Sequence, residues 1–372
     1  MRILVKFLCL IVFTVFISTG VSALDLTLKE QLGKQLFFDT NLSTPAGMSC
    51  ATCHDPSTGF ADPRTDFPTS QGVVPVRYGN RNAPTVAYAS FSPEFRLLPN
   101  MGPMNMGVYE GGQNWDGKAV NLFEQAKLPF LNKLEMHNPN VKSVILKVKQ
   151  GSYADMFTAV YGKNALKNVN TAYDLIADAI VAYESSSEVN QFSSKYDYYL
   201  QGLATLTDQE ERGLLVFETK GDCARCHRNM PAANGTPPMF TSRHHANVGV
   251  PRNPSNPYYK QPVSINSLKF NFVELGTGGA VGDSWHYGRV KIPTLRNIAK
   301  TAPYMHNGVF KDLKTVVNFY NTRDVNRELW GPPEVDHPNI IRMNNLGKLG
   351  LSEQEVEDVV AYLHTLTDGY IP

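Results

Sequence analysis

The sequence predicts a mainly α protein built as two small helical domains with long irregular loops. Three observations carry this. A Cys-x-x-Cys-His frame occurs twice, at Cys50–His54 and Cys223–His227. An amphipathic helical segment precedes each frame, and no segment sustains the alternation of a β-strand. The 372 residues suffice for about two domains that each bury a core. Lys and Arg number 35 against 34 Asp and Glu, a balance that excludes a polybasic nucleic-acid binder. A hydrophobic content of 42% excludes disorder. Five cysteines are too few for a disulfide scaffold of this length, so their placement must explain them.

Taken in order, residues 1–23 read as a secretory signal peptide. Arg2 and Lys6 supply positive charge, Phe7 to Ile17 form an apolar run, and Val21-Ser22-Ala23 is a small-residue cleavage site. The run is too short to span a bilayer, and no later one is longer. Cys9 leaves with the signal. The mature chain is therefore expected in the periplasm, without a membrane span.

Residues 24–190 form the expected N-terminal domain. It opens with a helix that repeats Leu28, Leu32 and Leu36, followed by the first frame and an irregular stretch over 55–112. A helix over Thr171 to Ser185 places Leu175, Ile176, Ala179, Ile180 and Tyr183 on one face. Residues 191–372 form the C-terminal domain. Thr207 or Asp208 caps the helix before the second frame, and a second irregular stretch covers 228–292. The last helix opens on a Ser352/Glu355 capping box and buries Val356, Val359, Val360, Leu363 and Leu366.

Cys-x-x-Cys-His is the attachment motif for c-type haem. Two thiols form thioethers to the vinyl groups, and the adjacent His turns under the ring to ligate iron. Redox dithiols and zinc sites also use Cys-x-x-Cys, but neither explains a His after both frames. Two covalent haem c groups follow, held by Cys50, Cys53, Cys223 and Cys226, with His54 and His227 as proximal ligands. The sixth position on each iron then decides between peroxide chemistry and electron transfer alone.

Later motifs extend the pattern: Asn82 in GNRNAPT, Trp115 in NWDGK, Gln125 in FEQAK, Glu135 in KLEMH, and KIPTLRN followed by TAPYMHNG. In this order around two haem frames, the chain resembles the bacterial dihaem cytochrome c peroxidase/MauG superfamily. The resemblance implies two cytochrome c-like domains, with a peroxidatic N-terminal haem and an electron-transfer C-terminal haem. It implies Gln125 and Glu135 over the open face of the first haem, with Glu135 moving protons, and Pro129 packed on the same face. Trp115 would couple the haems, and Arg296 would support propionates or the inter-haem region. Asn82 with the carbonyls of Thr301 and Pro303 would bind calcium.

Two departures narrow the resemblance. Reductively activated members cap the first iron with a His from the following loop, yet no His occurs from Asp55 to Met136, and His137 does not match the capping position. Where peroxidases of the family place a Met ligand, this chain has Tyr320, and Leu313, Val316, Val317 and Tyr320 share a helical face. A His227/Tyr320 pair resembles the MauG/MbnH type. Phenolate is hard and anionic and favours higher oxidation states, so such a haem gives up electrons more readily than it stores them.

The expected function is reaction with hydrogen peroxide and oxidation of a partner protein, with Trp modification as one form. One alternative is peroxide detoxification fed by a small cytochrome c or copper protein; another is a non-catalytic dihaem electron carrier. The Met101, Met104 and Met106 cluster, His244-His245, and Trp285 with Tyr287 are read as packing rather than sites.

Overall fold

The computed structural model describes residues 25–102 and 106–372; the signal segment expected over 1–23 and Met104 lie outside them. Eleven α-helices occupy the described residues. The first five are α1 (Leu28–Phe38), α2 (Leu122–Leu131), α3 (Val141–Gln150), α4 (Ala154–Tyr161) and α5 (Val169–Glu184). The others are α6 (Lys195–Leu200), α7 (Asp208–Glu218), α8 (Gly276–Val281), α9 (Leu313–Thr322), α10 (Arg327–Trp330) and α11 (Glu353–His364). Thr207, not Asp208, caps α7: its hydroxyl accepts the Glu210 N–H while the Glu210 carboxylate accepts the Thr207 N–H. Ser352 and Glu355 make the same box on α11. α5 starts two residues earlier than its apolar face suggests, because Asn168 caps it.

Two ribbons complete the described structure. β1 (Arg96–Leu98) runs antiparallel to β2 (Val108–Glu110), and β3 (His245–Ala246) antiparallel to β4 (Val290–Lys291). Strands of two or three residues are too short to leave an alternating signal in the sequence.

One helix crossing is built twice. In α1, Gly33 lies so close to α5 that a Cβ would overlap the Ala179 carbonyl; in α7, Gly213 meets the Asp358 carbonyl of α11 in the same way. One turn further on, Phe37 packs edge-on against Tyr183 at 5.3 Å, and Phe217 against Tyr362 at 5.2 Å. Each crossing centres its own apolar cluster. One gathers Leu32, Phe37, Phe130 and Ile176; the other gathers Phe217, Phe240, Phe319 and Tyr362. The fold is thus two helical cytochrome c-like domains, and the weak duplication in the sequence is a duplication of packing. No described helix is long and apolar enough to cross a membrane.

Candidate functional site

Both frames make the same local structure. Cys50–Thr52 and Cys223–Arg225 each form a tight turn, returning the His54 N–H to the Cys50 carbonyl at 3.0 Å and the His227 N–H to the Cys223 carbonyl at 2.8 Å. His54 Nδ1 then donates to the Phe60 carbonyl at 3.2 Å, and His227 Nδ1 to the Phe240 carbonyl at 2.9 Å. Phe60 and Phe240 both hold positive φ, 61° and 50°, which aims each carbonyl at its imidazole. With Nδ1 carrying the proton, each Nε2 keeps a free lone pair for a metal. Burial pushes both imidazoles toward the neutral, ligating form.

The four cysteines are free, and burial pushes Cys53 and Cys223 up to about 12. A redox dithiol needs a lowered thiol pKa, so these pairs are unsuited to that role. Among the described residues no group of three or more His, Cys, Asp or Glu gathers as a zinc site would require.

The second frame opens onto a cavity of about 340 Å³. Cys223, Cys226 and His227 line one side, Tyr320 of α9 lines it as well, and Val248, Val316 and Leu349 add apolar wall. Burial, with the nearby thiols, pushes the Tyr320 phenol well above its usual range. Two cations line the same cavity without a carboxylate partner: Arg243 and Lys291, the latter pushed down to about 8 by burial. Thiols, an imidazole, a facing phenol and two unmatched cations form a donor set that fits a covalent haem with anionic propionates.

Arg296, expected to support propionates or the inter-haem region, is held by protein groups. Its guanidinium makes a bidentate pair with Asp197 at 2.8 and 2.9 Å, donates to the Pro238 carbonyl, and stacks over Tyr88 and Phe192. It is absent from the cavity wall; Arg243 and Lys291, which the sequence did not single out, stand there instead.

Around the first frame, Gln125 and Pro129 lie one turn apart on α2. The loop after α2 folds back, with the Met136 N–H on the Pro129 carbonyl and the Glu135 N–H on the Asn132 carbonyl. Glu135 is close enough to the frame that its charge would raise both the Cys50 and Cys53 thiols. Burial pushes its carboxyl up to about 7, against the Asn132 amide, which donates to Oε1 at 2.6 Å. A second carboxyl was not foreseen. Glu184, the last residue of α5, is buried, has Oε2 without a partner, and is pushed up to about 8. Its charge also acts on Cys50. His137 gives its Nδ1 to the Thr44 carbonyl.

The Trp115 indole N–H donates to the Asn82 carbonyl at 2.8 Å, and its ring meets His306 edge-on at 6.4 Å. Burial pushes His306 down to about 4. Behind them, Arg81 pairs with Asp116 at 2.7 Å and with Glu274 at 2.8 Å, and Asn80 joins Glu274 at 2.6 Å. Asn82, Thr301 and Pro303 all line the cavity. Asn82 Nδ2 donates to the Pro68 carbonyl, leaving Oδ1 available, and the Thr301 and Pro303 carbonyls accept no hydrogen bond among the described residues. Uncharged oxygens of this kind are the donor type that a hard cation takes.

His245 spends both ring nitrogens, on Thr277 and on the Gly111 carbonyl, so the His244-His245 pair is structural. Met101 and Met106 are exposed.

Residues 27–205 match the family described as di-haem cytochrome c peroxidase. The methylamine utilization protein MauG of Paracoccus denitrificans is 38% identical over 353 residues, covering 91% of this chain and 88% of that one. The cytochrome c551 peroxidase of Pseudomonas aeruginosa is 30% identical, covering 91% and 78%. Among solved structures, the dihaem peroxidase BthA of Burkholderia thailandensis superposes with a TM-score of 0.79 at 30% identity, covering 91% of this chain and 86% of that one.

Proposed function

The chain belongs to the dihaem cytochrome c peroxidase family that includes MauG, and from that membership we propose an exported enzyme whose first haem is open at rest and whose second site oxidises a partner protein. It is a hydrogen peroxide-dependent dihaem oxidoreductase. Haem bound at the two frames supplies the redox chemistry with peroxide. The protein supplies the rest.

Glu135, near half-protonation at neutral pH, takes the proton from the incoming peroxide and returns it to the departing oxygen. Asn132 holds that carboxyl in place. Gln125 and Pro129 shape the same face. His54 and His227, each tied through Nδ1 to a backbone carbonyl, would hold the haem irons through Nε2. Trp115, held by Asn82, lies on the path between the sites, and calcium bound by Asn82, Thr301 and Pro303 would fix that segment.

The observation that supports partner oxidation over electron storage is Tyr320 on the wall of the cavity that holds Cys223, Cys226 and His227. A phenolate there disfavours the reduced iron that a peroxidase keeps as its electron store. The test is a titration of ferric holoprotein with hydrogen peroxide, without reductant, followed by haem absorption and EPR. Both ferric signals should disappear together at about one peroxide per protein, and Tyr320→Met should abolish the joint loss. A wild-type protein that responds only after one haem is reduced would instead be a peroxide-detoxifying enzyme, and the proposal would fail.

A further inference from the structure

An aromatic stack leads from Tyr320 to the surface. The Tyr320 ring meets Phe319 edge-on at 5.6 Å between centroids, and Phe319 meets Trp330 edge-on at 5.5 Å. Phe310 closes the cluster, 5.1 Å from Phe319 and 5.6 Å from Trp330. Phe319 is fully buried, whereas Trp330 is half-buried at the end of α10, beside Leu329, which is 67% exposed. The Trp330 indole N–H donates to Thr322 Oγ1 at 3.0 Å, and that hydroxyl donates to the Asn318 carbonyl at 2.8 Å. Trp330 therefore has one edge in a dry stack and the other near solvent.

The other two tryptophans are placed differently. Trp115 is buried on the wall of the cavity at the second frame. Trp285 packs against His337, its indole N–H lacks a partner, and no ring contact among the described residues joins it to Tyr320.

We propose that Trp330 is the relay through which electrons enter the second site from an exposed Trp or Tyr side chain of a partner protein. This rests on the preceding reading of the Tyr320 site. Hydrogen peroxide takes two electrons and two protons and leaves as two waters. Each electron drawn from the second site is replaced from Trp330, whose indole becomes a radical cation. Its N–H proton stays, because the Thr322 hydroxyl is too weak a base to accept it. The partner ring returns one electron to Trp330 and releases a proton to water. After two passages the partner has lost two electrons and two protons, and Trp330 is unchanged. Phe319 is not oxidised; it fills the space between the two redox-active rings.

The test uses ferric holoprotein treated with hydrogen peroxide in the absence of any partner, followed spectroscopically and then digested for mass spectrometry. With no partner to refill it, the indole gives up a second electron to the second site, takes an oxygen from water and releases two protons, so products heavier by one oxygen should concentrate at Trp330 several-fold over Trp285 and Trp115. Trp330→Phe should slow decay of the oxidised haem spectrum several-fold, and Trp330→Tyr should restore it. Oxidation concentrated at Trp285 or another surface ring, with Trp330 intact, would overturn the relay, and the wild-type map decides this even if the Phe variant folds poorly. Absence of any haem response to peroxide would overturn the Tyr320 reading and the relay with it, so the two failures are distinct.

Discussion

At the scale of single residues, the proposed chemistry depends on a carboxyl that burial holds near neutrality. Glu135 is pushed up to about 7, so it is protonated below that pH and ionised above it. The first step needs the ionised form, to accept a proton from peroxide. The second-order rate constant for peroxide should therefore fall about tenfold per unit as pH drops below 7 and level off above it. Glu135→Gln should lower the plateau by about 10²–10⁴-fold and remove the inflection, both measurable by stopped flow. A flat profile in the wild type would show that another group moves the proton. The haem frames were legible at this scale because the thiols and imidazole are contiguous. Helical spacing showed only that Tyr320 faces inward; its reading as a ligand came from the family's ligand position. Arg243 and Lys291 were not, because what marks them is the lack of a partner in three dimensions. The pairing of Arg296 was hidden for the converse reason: its partner, Asp197, lies far upstream and leaves no trace in the TLRN motif.

At the scale of elements, the two glycine-centred crossings set how closely the helix before each frame approaches the last helix of its domain. Phe217 of α7 and Val359 and Leu363 of α11 line the second cavity, so this approach also sets that cavity's width. Gly213→Ala should drive a methyl group into the Asp358 carbonyl and cost about 1–3 kcal/mol, read as a lower denaturant midpoint with reduced haem at the second frame. Unchanged stability would mean that α7 and α11 slide apart freely. Apolar spacing revealed α1, α5 and α11, and caps marked the starts of α7 and α11, whereas the caps of α1 and α5 went unread. The crossing itself went unseen, since Gly33 and Gly213 look like weak points in a helix until the carbonyl opposite is in view.

At the scale of the whole molecule, the two domains are joined by charge as well as by covalent chain. Arg81, Asp116 and Glu274 form a largely buried triad in which one guanidinium serves two carboxylates. Removing it strands both. Arg81→Gln should destabilise the protein by about 3–5 kcal/mol, with unfolding of the two haem environments no longer coincident when each is followed by its own absorption. A loss below about 1 kcal/mol would mean that the carboxylates reach water or a cation by another route. None of this could be read from the sequence, where Arg81 and Glu274 are separated by most of the loop-rich middle of the chain.

The environment of Trp115 has a consequence for how the protein is made. Asn82 lies in the first half of the chain, whereas His306 and the Lys291 N–H, which donates to the Trp115 carbonyl, lie near its other end. A nascent chain can complete the first haem pocket from its early residues, but it cannot enclose Trp115 until the late ones arrive. On the coupling role proposed for Trp115, electrical contact between the sites is thus among the last connections to close.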